Sequence, residues 1–186
     1  MRSCDDGHAL RTVSSAVAVV CLALVFHAAA GGRVPTAPAV GLLTLATLAA
    51  MRRLNDPEGA GIGARHLTVS TCGVIPQIMR FANEPEQFTL AVSLHSAVQR
   101  TRNALMPGVR KYSLINLYNA MGEYVNKTGR RPTYEYALIG GVNDTDNELQ
   151  ALCDFCEGTL AHVNLIQLNE VEGSKFRPST DLRALD

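Results

Sequence analysis

An α/β fold built on a parallel sheet is predicted by three observations. Four short apolar runs recur along the chain, "HLTVSTCG" (66 to 73), "FTLAVSLHS" (88 to 96), "PTYEYALIGG" (132 to 141) and "AHVNLIQLN" (161 to 169). Segments with helical spacing separate them, and each run ends in polar or glycine residues. Strands joined by helical stretches of ten or more residues imply crossover connections, hence parallel pairing.

The elements follow in order. Val69 and Thr68 are β-branched and Gly73 closes the first run, so a strand leaves for a turn. Pro76 suits a first helical position, and "PQIMRFANE" reads as a short helix with Ile78, Met79 and Phe81 turned inward. The run at 88 to 96 is nearly continuous in apolar residues, as in a strand covered on both faces. Ser113 is placed to cap a helix whose Leu114, Leu117, Tyr118, Met121 and Val125 share one face. Thr145 and Glu148 have capping-box spacing and Gly158 stands where a helix stops.

In parallel sheets of this kind the working residues gather at the C-terminal ends of the strands. That rule selects Ser70 to Gly73, Ser93 to Ser96, Gly140 to Asp144, and Asn169 to Gly173 as a candidate ligand face. It does not name the ligand.

Upstream the sequence is of another kind. Residues 13 to 30 form an apolar run behind Arg2 and Arg11 and end in alanines before a Gly-Gly pair, the grammar of a signal peptide or anchor. "GGRVPTAPAVG" reads as a connector, after which "AAMRRLNDPEG" opens the globular part. Residues 1 to 45 are therefore set apart as a low-complexity apolar segment outside the domain, which occupies 46 to 186.

The chain has 186 residues, a formal net charge of zero, 47% hydrophobic residues and five cysteines. This composition excludes a disordered chain and gives no bulk reason for avid polyanion binding. An odd number of irregularly spaced cysteines argues against a secreted disulfide framework and for a reducing, cytoplasmic setting. The C-x-x-C of "ELQALCDFCEG" closes a helix, where the dipole opposes a thiolate, and Cys153 and Cys156 fall with Leu149 and Leu152 on one apolar stripe. Packing is the favoured reading for both, over a redox couple or half a metal site. Cys72 reads as packing at a tight turn, with a pocket thiol as the alternative; His95 divides evenly between a ligand role and a satisfied strand end. The clusters Arg100, Arg102, Arg110, Lys111 and Lys127, Arg130, Arg131 read as a solvated face before a phosphate-binding one. "GAGIG" (59 to 63) precedes a strand and is no dinucleotide fingerprint.

Taken together, "LNDPEGAGIGARHLTVSTCGVIPQI", "LAVSLHS", "LMPGVRKY", "TGRRPTYEYALIGGVNDTD" and "HVNLIQLNEVEGSKFRPS" resemble the RlmN family of radical SAM methyltransferases over about residues 49 to 180. The resemblance implies the last four strands of a partial (β/α)6 barrel and methylation of C2 of adenine in 23S ribosomal RNA and in transfer RNA. It places Ser70, Ser93, Leu94, His95 and Asn169 at contacts to S-adenosylmethionine, all within the strand-end segments chosen above. It also implies a [4Fe-4S] cluster that reduces S-adenosylmethionine to a 5′-deoxyadenosyl radical, and a cysteine that carries the methyl group, a route suited to a non-nucleophilic carbon. The cluster-binding C-x-x-x-C-x-x-C and the G-E-P-type loop have no counterpart in residues 1 to 45, and none of Cys72, Cys153 and Cys156 matches the methyl carrier.

The resulting expectation is the C-terminal part of such a catalytic barrel, inactive by itself, without catalytic or metal-ligating residues of its own and with no stable membrane partner. A non-catalytic module that binds S-adenosylmethionine or RNA is the alternative, and a membrane-anchored or exported protein a third reading. With the preceding strands absent, the strand at 66 to 71 would expose a parallel edge unless the N-terminal apolar segment covers it.

Overall fold

The computed structural model describes residues 18 to 21, 37 to 170 and 172 to 180. Five parallel strands lie side by side in chain order: β1 (Ala18–Cys21), β2 (Leu67–Thr71), β3 (Thr89–Ser93), β4 (Thr133–Leu138) and β5 (His162–Gln167). Helix α1 (Ala37–Asn55) precedes β2, and α2 (Ile75–Phe81) joins β2 to β3. Two helices, α3 (Gln99–Leu105) and α4 (Leu114–Thr128), separate β3 from β4, and α5 (Asp146–Cys156) joins β4 to β5. The four strands read from the sequence are all present and parallel.

Two helix starts are capped by side chains, as the sequence suggested. Ser113 accepts a hydrogen bond from the Asn116 amide at the head of α4, and Gly129 ends that helix in the left-handed conformation with φ of 63°. Thr145 accepts from the Glu148 amide, so half of the expected capping box forms. The other half does not. The Glu148 carboxylate turns away to accept from the hydroxyls of Ser96 (2.7 Å) and Thr101, tying α5 to the start of α3.

The core lies between the helices and one face of the sheet. In β2 and β4 burial alternates strictly, so Leu67, Val69 and Thr71, then Tyr134, Tyr136 and Leu138, face the helices. Leu48 and Met51 of α1, Ile78 and Phe81 of α2, and Leu117, Met121 and Tyr124 of α4 complete it. Phe155 of α5 sets its ring edge-on to Tyr134, with centroids 5.5 Å apart.

Two features differ from the sequence reading. Four residues of the apolar run at 13 to 30 form β1, which pairs in register with β2 from Ala18 opposite Leu67 to Cys21 opposite Ser70. The edge of β2 is thereby occupied along that length. Helix α1 begins at Ala37 and runs through residue 45, with Thr44 and Thr47 buried beside Leu48. The other candidate leader residues lie outside the described ones. Among the described residues no helix is long and apolar enough to cross a membrane.

At the opposite edge β5 is hydrogen-bonded to β4 from end to end, yet every one of its residues is exposed. Beyond it the chain returns to β4, where Ile139 bridges Pro178 in antiparallel fashion and the Gly140 amide donates to Arg177 O at 2.9 Å. Asp144 fixes the same tail by accepting from the Ser179 hydroxyl at 2.7 Å.

Candidate functional site at the strand ends

The face turned away from the helices is polar. Register places Ser70, Ala91, Thr133 and His162 in one row across β2 to β5, and Ser93, Glu135 and Asn164 in the next. Apolar side chains on the helix face pin the strands, so alternation delivers these polar side chains to the other side. Ser70 and Ser93 are half-buried there and Asn169 is exposed in the loop after β5. All five residues assigned by the resemblance lie in or just past the C-terminal halves of their strands.

Leu94 is fully buried, with its side chain in the core and its amide donating to Glu135 O at 2.9 Å. Its remaining polar group for a ligand is the carbonyl. His95 has φ of +55°, a left-handed conformation that a non-glycine residue adopts only when its surroundings enforce it. Those surroundings are visible. The His95 amide donates to Glu135 O, its Nδ1 accepts from the Ala137 amide at 3.1 Å, and its carbonyl accepts from the Asn143 side chain at 2.6 Å. Because Nδ1 is an acceptor, the neutral ring carries its proton on Nε2. Desolvation by burial, and then the nearby Arg102 guanidinium, push the His95 pKa down to about 4. The side chain is therefore a neutral hydrogen-bond donor at physiological pH.

Asn143 is the hub behind this segment. Fully buried, it donates to the carbonyls of His95 and Ala137 and accepts from the Ile139 amide at 2.7 Å, while its own carbonyl accepts from the Tyr136 hydroxyl. Asp144 is turned inward too, accepting from the Gly141 amide. The stretch 140 to 144, expected to line the pocket, thus serves as scaffold through these two side chains. Ser96 likewise faces Glu148 and the Val98 backbone instead of a ligand.

Arg102 escaped the sequence reading, which grouped it with surface basics. It is 1% exposed, donates from Nη2 to Cys72 O at 2.8 Å, and its Nε has no partner among the described residues. Burial lowers its pKa, the expected direction for a cation held out of water. Gly73, with φ of 87°, makes room: a Cβ there would lie 2.9 Å from that guanidinium. Arg130 is also committed, donating to the carbonyls of Glu86 and Phe88 and lying over the rings of Phe81 and Tyr124. No sequence signal distinguished these two cations from solvated ones, because their partners are distant in the chain.

The cysteines divide. Cys72 is buried, as read. Cys156 is half-buried and packs against the core, and burial raises its thiol pKa, with Cys153 adding to the effect. Cys153 is exposed, contrary to the stripe reading, because α5 packs through Leu149, Leu152, Phe155 and Cys156, leaving position 153 to one side.

No protein-family model matches the sequence. Curated relatives do. The chain is 44% identical over 127 residues to the probable dual-specificity RNA methyltransferase RlmN of Clostridium perfringens, a match covering 68% of this chain and 37% of that protein. With the namesake of Bacillus subtilis it is 48% identical over 124 residues, covering 67% and 34%. Over the matched span, the chain belongs to the RlmN family. It spans about 37% of the length of such an RlmN relative. Among solved structures, a radical SAM methyltransferase from Sphaerobacter thermophilus superposes with a TM-score of 0.71 at 44% identity, covering 74% of this chain and 40% of that one. A domain of a pyruvate-formate lyase-activating enzyme from Bacteroides vulgatus, 16% identical with a TM-score of 0.51, covers 76% and 83% and shares the fold.

The two cofactors of the RlmN expectation fare differently against the residues present. Two serine hydroxyls, an imidazole Nε2–H and a carboxamide are donors and acceptors of the types that the polar parts of S-adenosylmethionine take up. For an iron–sulfur cluster the described residues offer no group of three or more candidate ligands. Cys72 sits at the end of β2 while Cys153 and Cys156 sit on α5. The described part of the chain does not fit a cluster.

Proposed function

We propose that residues 46 to 186 form the S-adenosylmethionine-binding strands of a radical SAM RNA methyltransferase that acts at C2 of adenine in 23S ribosomal RNA and in transfer RNA, in the cytoplasm. The observation that carries this reading is the coincidence of the family's sequence signature, 44% identity over 127 residues, with a polar face that holds Ser70 and Ser93 near the C-terminal ends of their strands, His95 and Asn169 following just past the ends of β3 and β5. In this reading the two serines and Asn169 bind and orient the cofactor. Neutral His95 donates from Nε2, and Leu94 contributes its carbonyl. A [4Fe-4S] cluster supplies radical chemistry in enzymes of this class, and no part of that chemistry is assigned to residues of this chain.

The 186-residue polypeptide is expected to bind S-adenosylmethionine and to transfer no methyl group. Calorimetry on the purified polypeptide tests the first part, and absence of heat with S-adenosylmethionine and with S-adenosylhomocysteine would refute it. Anaerobic expression with iron and sulfide tests the second; stoichiometric cluster absorbance together with methylated RNA would overturn it. A cofactor- or RNA-binding module without catalysis is the second reading, favoured by the same lack of candidate cluster ligands among the described residues. It predicts binding whose strength is unchanged by the addition of iron and sulfide.

A further inference from the structure

Glu135 is the one acidic residue in the five strands. It stands on the polar face between Ser93 of β3 and Asn164 of β5, in register with both. Its backbone carbonyl receives the amides of Leu94 and His95, a task that any residue could perform. The carboxylate does something else. Oε2 accepts from Asn164 Nδ2 at 2.7 Å, which holds the side chain across the sheet face. That is the one hydrogen bond to this carboxylate among the described residues, and no cation pairs with it there.

A half-buried carboxylate on a sheet face costs free energy unless something compensates its lost hydration. Packing gives no reason for it, since the positions above and below it on that face are Thr133 and Ala137. Flanked by a serine hydroxyl and a carboxamide, it forms a short row of acceptors suited to neutral hydroxyl donors. An ionised carboxylate offers about four lone-pair sites and can take two adjacent hydroxyls together, as acidic residues do with ribose in dinucleotide sites.

We propose that Glu135, oriented by Asn164, binds the ribose hydroxyls of the nucleoside held at the Ser70, Ser93 and His95 face. This rests on the proposed S-adenosylmethionine reading and extends it to a residue which that reading leaves unassigned.

The test uses the full 186-residue chain, with S-adenosylhomocysteine and its 2′,3′-dideoxy analogue as probes in calorimetry. The wild type should prefer the hydroxylated probe by about tenfold, the scale of charge-assisted hydrogen bonds lost on removing their donors. In Glu135→Ala and Glu135→Gln the preference should fall to about twofold or less, with the dideoxy probe bound as before. Asn164→Ala should reduce the preference partway, and circular dichroism should match the wild type for all three variants. A wild-type preference that persists undiminished in Glu135→Ala overturns the assignment and leaves the cofactor reading intact. Equal loss of both probes also overturns it, because the carboxylate would then serve the site's shape or the amino-acid half of the ligand. Absence of binding by the wild type overturns the cofactor reading, and this assignment falls with it.

Discussion

Asn143 satisfies three backbone groups at once, so its replacement is felt more than that of any exposed polar residue. Asn143→Ala leaves two carbonyls and an amide unpaired in a buried place and should lower stability by about 2 to 4 kcal/mol, measurable by urea unfolding. Release of the His95 carbonyl should accompany it, since nothing else in the described structure holds that atom. His95 makes a second residue-scale prediction. Its folded pKa of about 4 lies below the ordinary 6.5, so the unfolded chain binds the extra proton between those values. The stabilising contribution is complete above about pH 6.5 and is lost as pH falls toward about 4, amounting to roughly 3 kcal/mol at most. His95→Asn, which tolerates the left-handed backbone, should flatten that part of the stability profile; an unchanged slope would refute the assignment. Arg102→Ala should destabilise by about 2 to 4 kcal/mol through lost packing and the lost bond to Cys72 O, whereas Arg102→Met, which also removes the uncompensated charge, should cost less. The sequence marked His95 and the stretch around Asn143 as candidates but showed the partners of none of the three, nor the burial of Arg102. A buried polar side chain is defined by its partner, and the partner of Arg102 lies thirty positions away.

Elements were more legible than residues. The four strands announce themselves as short apolar runs because sheet burial needs apolar alternation, and Ser113 and Thr145 mark helix starts because the first amides of a helix need acceptors. The faces of α5 were legible only in part: Leu149, Leu152 and Cys156 of the expected stripe pack inward, but Phe155 takes the place read for Cys153, which is exposed. The C-x-x-C therefore consists of one exposed thiol and one half-buried thiol of raised pKa. Thiol titration with a disulfide reagent should modify Cys153 several-fold faster than Cys156, and Cys153→Ser should change stability by less than about 0.5 kcal/mol. Equal rates would contradict the helix orientation. Helix α1 was not anticipated at all, because its low-complexity Ala and Leu residues resemble a leader as much as a packed helix. Beginning the chain at residue 46 would remove Thr44 from a cavity of about 20 Å³ that it lines with Thr47, Leu48 and Gln77.

For the molecule as a whole the two sheet edges set the behaviour in solution. On one side β1 occupies the hydrogen-bonding groups of β2. On the other, Val163, Leu165 and Ile166 of β5 are 39%, 48% and 41% exposed, and Leu160 just before them 50%. An apolar edge strand of this kind recruits other chains. Concentration-dependent association should be visible by light scattering, and Leu165→Lys should raise the concentration at which it begins. Deletion of residues 1 to 36 should lower that concentration by freeing the edge of β2 as well. The sequence anticipated this liability in outline, since an open parallel sheet ends in two edges. It could not show that a strand from the apolar N-terminal run would take one of them.

The Ile139–Pro178 bridge has a consequence for the loop that carries Asn169. With β5 paired at one end and the tail latched to β4 at the other, this loop is tethered at both ends, and the conformational search left to Asn169 is short. A ligand that recruits Asn169 meets an arm already confined to the rim, with part of the loop-ordering entropy spent during folding. Gly140 guards that economy: a Cβ there would sit 2.6 Å from Pro178 O and lift the latch. Gly140→Ala should thus loosen the tail from β4, and, if Asn169 serves the proposed cofactor, weaken the affinity for S-adenosylhomocysteine read by calorimetry.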